Sequence, residues 1–582
     1  MNLDALLDHP AFAAEPPRDL DELARRAYAQ LAVVNETVGG STALLDDPQA
    51  MSAVLDWAAV VDPSLFAAAA IHYAVVLTSI KELGRPEETL GAAIASLDRL
   101  DAVGAILITE IGHGNNHISL RTQAVYEPET RTFRLRTPTP GARKLMASIA
   151  LPGVAKIGTV YAELIVDGEP CGTFAFVVPL RDAAGLRPGV LVEPLRGTVP
   201  VALDYSVTSF DDVRVPYDHW LRDTASITPA GLFEDPLGSK DRRLVRSLAL
   251  SAWASLAGAV GLASASRAAA AIALRYAATR STMGRLSPNR PVLDYRTQQH
   301  ALYGALSSAY AVTALVDKAI EAFLDKPWEV PPDETAITFS PWVAAHRTHA
   351  LAKAAATELC AEITAECRRR SGAQGVLSIN RIIAYEGLAQ SYNSAGGDNL
   401  LILMDAGRSM AETLQPCEVP DSFTDSFTGP FMGDLADPEV RLGLLRVQEA
   451  TLHTELAASV RQASEAGLSP FDAWNPHLSK AVELARVHQR RMVAEAFRAL
   501  VAGRQDEAMA TALAAAERLH GLRDLARDRA WLLERGVLSQ AAALSVADLV
   551  EKAVDDLAVH AEALLDGLGL PERRLGAWFL PA

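Results

Sequence analysis

Twenty successive residues without a charge, 247–266 (SLALSAWASLAGAVGLASAS), leave this chain few ways to fold. A run of that length matches the roughly 20 residues that cross a bilayer core. Its Ser, Ala and Gly content is unlike the Leu- and Ile-rich composition that lipid favours, and Arg246 and Arg267 flank it. The expectation is therefore a helix at the centre of a protein, with small side chains on every face so that neighbours approach closely on all sides. No membrane span is expected.

A helix hidden on all sides needs a large body around it. The chain has 582 residues, of which 49% are hydrophobic and 21% charged, a composition far from that of disordered proteins. At about 100–200 residues each, three or four domains are expected. The net charge of −17 argues against nucleic acid or an anionic membrane as partner, because phosphate binding needs a concentrated basic face. The short runs Arg368-Arg369-Arg370 and Asp241-Arg242-Arg243 read as solvated helix ends. Cys171, Cys360, Cys367 and Cys417 form no CxxC pair, so neither a zinc ribbon nor a disulfide framework is indicated, and a reducing cytoplasm fits. The N-terminal MNLDALLDHPAFAAEPP carries acids where a secretory signal has bases, and no export signal is read.

Helical periodicity fills residues 1–100, interrupted at Gly39-Gly40 and Pro63. Over 101–222 the period shifts towards two, with β-rich runs at 133–136, 159–166 and 173–178. Asp167-Gly168 between the last two predicts a hairpin, because Gly accepts the positive φ of such turns. Helix signals return over 223–420: residues 244–280 read as one Ala-rich helix, Pro288 and Pro291 break it, 295–324 resumes, and 343–370 follows. After a link at 421–438 rich in Asp, Gly, Pro and Ser, the remainder to 582 is helical, with an apolar stripe at Val493, Phe497, Leu500 and Val501.

Three separated motifs stand out. Thr109-Glu110-Ile111-Gly112-His113-Gly114-Asn115-Asn116 is followed by Tyr126-Glu127-Pro128-Glu129-Thr130. Arg280-Ser281-Thr282-Met283-Gly284 precedes Leu293-Asp294-Tyr295-Arg296-Thr297-Gln298-Gln299. The segment 367–408 joins the turn Ser371-Gly372-Ala373-Gln374-Gly375 to Asp398-Asn399. In these motifs and their order the chain resembles acyl-CoA oxidases and acyl-CoA dehydrogenases, and Phe471-Asp472-Ala473-Trp474-Asn475 with Leu568-Gly569-Leu570-Pro571-Glu572 resembles the oxidase C-terminal domain.

The resemblance implies a mainly α fold with a central β domain. Its parts are an N-terminal helical bundle (1–100), a β-barrel-like middle domain (101–222), a helical FAD-binding bundle (223–420) and an extra C-terminal helical domain (421–582). It implies FAD as cofactor, with Thr109 on the flavin ring and Arg280 and Gln298 at the diphosphate and adenine, where fixed guanidinium donors suit pyrophosphate. Met283, Gly372, Gly375 and Asn399 complete the implied cofactor set. In the family the Gly-rich turn reaches the FAD of a neighbouring subunit, which implies a dimer.

The family's catalytic glutamate stands in Phe-Glu-Gly-Glu-Asn, and here that stretch reads Ala395-Gly396-Gly397-Asp398-Asn399. Gly396 cannot supply the carboxylate that removes the α-proton. The position some dehydrogenases use instead, on the central helix, aligns with Ser251, which is no base for so weak a carbon acid. The family's Lys-Trp-Trp reads Lys144-Leu145-Met146, and its Arg-Gly-Leu-Glu reads Ile118-Ser119-Leu120-Arg121.

These departures point to an FAD-dependent oxidoreductase that dehydrogenates an unusual acyl thioester, carried on CoA or a carrier protein, as a homodimer. Its base is relocated, with Glu386 and Asp398 as candidates. The alternatives are flavin-dependent oxidation of a C–N or N–N bond or activation of oxygen, a base-less subunit completing an active homologue in a heteromer, and a non-enzymatic scaffold. His113 and His117 are separated by turn chemistry, and no metal is expected.

Overall fold

The computed structural model describes residues 2–12, 19–195, 201–248, 250–286, 289–325, 337–420, 433–577 and 579. The chain divides into two compact units that alternate along the sequence. The first holds Met1–Gly261, Lys326–Ala350 and Ser394–Asp398; the second holds Leu262–Asp325, Leu351–Asn393 and Asn399–Ala582.

In the first unit, helices begin where carboxylates cap them. Asp19 accepts from the Glu22 N–H to start Leu20–Val38, and Asp47 and Asp62 do the same before Pro48–Val61 and Pro63–Ala69, each with Pro in the first turn. Gly39, at φ +82°, ends the first of them. The third helix passes into a wider, π-helical stretch, Ala70–Leu77, that no sequence signal announced. This stretch holds His72 so that its Nδ1 accepts from the Gly104 N–H at 2.9 Å while its Nε2 faces Ser41 Oγ at 3.0 Å. Burial lowers His72 to about 3, so a neutral imidazole ties this helix to the first strand.

The β region begins with β1 (Val103–Leu107), β2 (Gln123–Glu127), β3 (Thr132–Arg136), β4 (Lys144–Ser148), β5 (Lys156–Val166) and β6 (Glu169–Asp182). β5 is the spine: β1 and β2 pair parallel with successive parts of it, and β6 pairs antiparallel. Asp167 and Gly168 sit at φ 50° and φ 80°, so the predicted two-residue hairpin is present. β4 belongs to a second sheet with Tyr205–Phe210 and Val190–Pro194. Phe133, Phe174, Phe176 and Trp220 fill the core between them.

Residues 250–266 of the uncharged run lie in the helix Leu250–Thr279, which starts in the first unit and ends in the second. Every residue from Ser251 to Leu274 except Arg267 is buried. By length and composition the stretches Pro63–Leu83 and Lys240–Thr279 could cross a membrane, yet their most apolar windows are 89% and 100% buried inside the protein. The predicted single helix over 244–280 is instead two. Lys240–Ser247 stops first because its last residue turns to the sheet: the Ser247 carbonyl accepts from Tyr161 Oη at 3.2 Å and its hydroxyl donates to the Thr173 carbonyl at 2.9 Å.

The second unit is helical, built mainly from Arg296–Asp325, Asn399–Thr413, Pro438–Glu465, Leu478–Ala502, Glu507–Glu534 and Gln540–Gly567. Gly407 lets one pair touch backbone to backbone, since a Cβ there would lie 2.0 Å from the Ala481 carbonyl oxygen. The helix expected at 343–370 runs Pro341–Arg370, with an extended residue, His346 (φ −164°, ψ 90°), in its second turn. Pro291 lies in a short ribbon, Arg290–Pro291 against Ser281–Thr282. Pro288 and most of the expected link at 421–438 lie outside the described residues.

Candidate active site

Thr109 stands two residues beyond the end of β1 and is half-buried. Its carbonyl accepts from the Leu145 N–H of β4 at 2.9 Å, and the Ile111 N–H donates to the Arg143 carbonyl at 2.9 Å. Behind this bridge Lys144 and Glu110 form a fully buried ion pair at 3.1 Å. Burial lowers Lys144 to about 8, against the opposing pull of Glu110. Burial raises the Glu110 carboxyl, but Lys144 and the N–H groups of Thr122 and Arg121 outweigh it and leave it below its ordinary value. Immediately after Lys144, β4 bulges between Leu145 and Ala147. The bulge places Met146 at φ 61°, with 48% of its surface exposed, while Lys144 and Ala147 both turn inward.

The two histidines of this segment separate. His113 is half-exposed, whereas His117 is buried with no hydrogen-bond partner at either ring nitrogen. Burial, then Lys144, lowers His117 to about 4.

Gly396 and Gly397 have φ 67° and φ 94°, the left-handed region where an L side chain is strained. Asp398 is half-buried and belongs with Gly396 to the first unit. So does Ser251, whose hydroxyl is buried without a partner. Glu386 belongs to the second unit, where Arg368 grips its carboxylate in two contacts of 2.5 and 3.4 Å.

The remaining expected cofactor residues lie in the second unit. Arg280 is exposed, and its backbone accepts from the Val292 N–H at 2.8 Å, which orders the short ribbon after the central helix. Met283 is 78% exposed beside it. Gln298 stands in the first turn of Arg296–Asp325, with its Oε1 buried and unpartnered. Arg296, two residues earlier, is held by Glu551 at 2.7 Å and Asp555 at 2.6 Å. Gly372 has φ 58°, and a Cβ on Gly375 would lie 2.2 Å from the Arg368 carbonyl oxygen. Asn399 is buried at the start of its helix, accepts from Lys353 Nζ at 2.9 Å, and has no partner for its amide nitrogen.

Sequence reasoning missed Lys353 and the Glu110–Lys144 pair as supporting groups. A lone Lys inside the apolar stretches KLMAS and ALAKAAA was the available signal, since a buried ammonium needs acceptors around it.

Two family models match the chain: acyl-CoA oxidase, C-alpha1 domain, over residues 257–411, and acyl-CoA oxidase over residues 437–579. Together they span about half of it. The chain belongs to the acyl-CoA oxidase family. The peroxisomal acyl-coenzyme A oxidase 2 of Arabidopsis thaliana is 27% identical over 522 residues, covering 84% of this chain and 72% of the relative. An acyl-coenzyme A oxidase-like protein of Mus musculus is 25% identical, covering 85% and 81%. In fold, acyl-CoA oxidase 1 of Yarrowia lipolytica matches with a TM-score of 0.84 at 21% identity, covering 98% of this chain and 86% of that one. Acyl-CoA oxidase 2 of Caenorhabditis elegans, bound with FAD, ascaroside-CoA and ATP, matches with a TM-score of 0.82 at 21% identity, over 99% and 86%. The expected fold class, mainly α with N-terminal helices, then a β domain, then helical regions in chain order, is the observed one.

Proposed function

We propose that this acyl-CoA oxidase relative binds FAD and removes the α-proton and β-hydride of an unusual acyl thioester, with a base displaced from position 396. The observation that carries the reading is the combination of family membership with a left-handed glycine at Gly396, φ 67°. FAD, when bound, supplies the hydride acceptor. Thr109, Arg280, Met283, Gln298, Gly372, Gly375 and Asn399 are the residues we assign to hold it. Their donors and acceptors suit such a group: Gln298 Oε1 and Asn399 Nδ2 are buried without partners, a state that costs free energy until something hydrogen-bonds them.

The chain's own part of the chemistry is to hold the thioester and accept its α-proton. Of the two candidate carboxylates, Asp398 stands two residues beyond Gly396 and Glu386 ten before it, and for that nearness we prefer Asp398 as base. The changed residues Met146 and Ile118, 48% and 43% exposed, fit a substrate whose shape differs from a simple fatty acyl chain. We assign the carrier as CoA or a carrier protein, the assembly as a homodimer, and the compartment as a reducing one such as the cytoplasm. The last assignment rests on four free cysteines, of which Cys360 is pushed up to about 12 by burial and so is inert as a thiolate.

The test is the absorption spectrum of the purified protein before and after anaerobic addition of a panel of acyl-CoAs. A flavin spectrum that bleaches is expected. Asp398→Asn should slow bleaching by roughly 10²–10⁴-fold, while Glu386→Gln should leave the rate within a few-fold. Absence of flavin under saturating FAD would overturn the reading, and a rate unaffected by Asp398→Asn would remove Asp398 as base.

A further inference from the structure

The contact assigned to the flavin, Thr109, sits on a segment with no regular ladder of its own: β1 ends at Leu107, and beyond it Glu110 makes two isolated bridges, to Gly114 and to Lys144. Such a segment keeps its position only if something behind it is rigid. Lys144 Nζ donates to the Ile108 carbonyl at 3.0 Å and to Glu110 Oε1 at 3.1 Å, so one ammonium grips the residues on both sides of Thr109.

Glu110 is in turn fixed by four donations. They come from the Arg121 N–H at 2.9 Å to Oε2 and 3.1 Å to Oε1, the Thr122 N–H at 2.8 Å and Thr122 Oγ1 at 2.7 Å. Thr122 Oγ1 also reaches the Ala142 carbonyl at 3.1 Å, two residues before Lys144. The network thus closes on itself: segment 108–110, the turn into β2, and the entry to β4 are held by one ion pair with 0% exposure at either side chain.

On the backbone side, Thr109 carbonyl to Leu145 N–H at 2.9 Å joins the same two segments. Directly after it, Met146 is thrown outward by the bulge.

We infer that the Glu110–Lys144 pair is the positioning device of the flavin contact, locking Thr109 and Met146 as one rigid edge. Neither residue is assigned to touch the substrate or cofactor; both act through the backbone they hold. A fully buried ion pair is a poor source of stability, because desolvation of two charges roughly cancels their attraction. What it provides here is a single permitted arrangement of three chain segments that a β ladder does not otherwise fix. The inference rests on the assignment of Thr109 to the flavin made above.

The test removes both charges together, in Glu110→Gln/Lys144→Met, since deleting one would strand the other in the interior. FAD affinity is read by flavin fluorescence titration, the visible band of the bound flavin by absorption, and folding of the apoprotein by far-ultraviolet circular dichroism and its thermal midpoint. The expected result is a folded apoprotein with FAD affinity weakened roughly tenfold and a shifted visible band. Thr122→Val, which loosens Glu110 without altering any charge, should weaken FAD about threefold, and it carries the test alone if the double variant does not fold. Unchanged affinity and spectrum in the folded double variant, or in Thr122→Val where the double variant does not fold, overturn the inference and leave FAD binding standing. A wild-type chain that takes up no FAD overturns both.

Discussion

In the proposed reading Gly396 decides the chemistry more than any other residue, because it stands where the resemblance places the family's catalytic carboxylate. Its φ of 67° also means that the loop is shaped to a residue without a Cβ. Restoring the carboxylate by Gly396→Glu should cost about 1–2 kcal/mol of left-handed strain, seen as a lower thermal midpoint. If the loop still presents position 396 to the thioester, bleaching by straight-chain acyl-CoAs should rise by about 10²-fold. No rise would show that the pocket as well as the base has changed. The glycine at position 396 was legible in the sequence, because a motif read in register exposes any departure. It could not tell that Arg368 occupies Glu386, since eighteen residues separate the partners and only folding brings them to 2.5 Å.

At the scale of elements, small residues set the spacing of the helices. Gly407 in Asn399–Thr413 faces the Ala481 carbonyl of Leu478–Ala502 so closely that a Cβ would lie 2.0 Å from that oxygen. Backbone cannot yield as a flexible side chain can, so Gly407→Ala should destabilise the second unit by roughly 1–3 kcal/mol, read as a lower urea midpoint at an unchanged slope. A midpoint within error of wild type would show that the two helices can separate at little cost. The hairpin at Asp167-Gly168 was legible because turn chemistry is local. The π-helical stretch Ala70–Leu77 and the bulge after Lys144 were not, because each follows from side chains such as His72 and Lys144 meeting partners on other segments.

At the scale of the whole molecule, buried ion pairs set the response to acid. Burial raises the Glu449 carboxyl, but His488 at 3.0 Å and Arg491 at 2.7 Å outweigh it and bring it down to about 2. The folded value lies below the unfolded one near 4.3, so the contribution is fully present above the unfolded value and is lost as pH falls towards 2. It is on the order of 3 kcal/mol at neutral pH. Glu449→Gln should therefore lower the thermal midpoint clearly at pH 7 and much less at pH 3. Equal losses at both would mean that packing, not charge, explains the effect.

The sequence by itself determined the order of helical and β segments, the burial of the uncharged helix, the family, and the absence of a carboxylate at position 396. Each of these is carried by local periodicity or by a motif in register. Only the tertiary structure decided that Lys144 grips both flanks of Thr109, that Arg368 holds Glu386, and that the predicted helix over 244–280 divides where Ser247 meets the sheet. In all three a charged or polar group is satisfied by a partner distant along the chain. Such pairings are set by the need to hydrogen-bond every buried polar atom, a condition that exists only once the segments have packed.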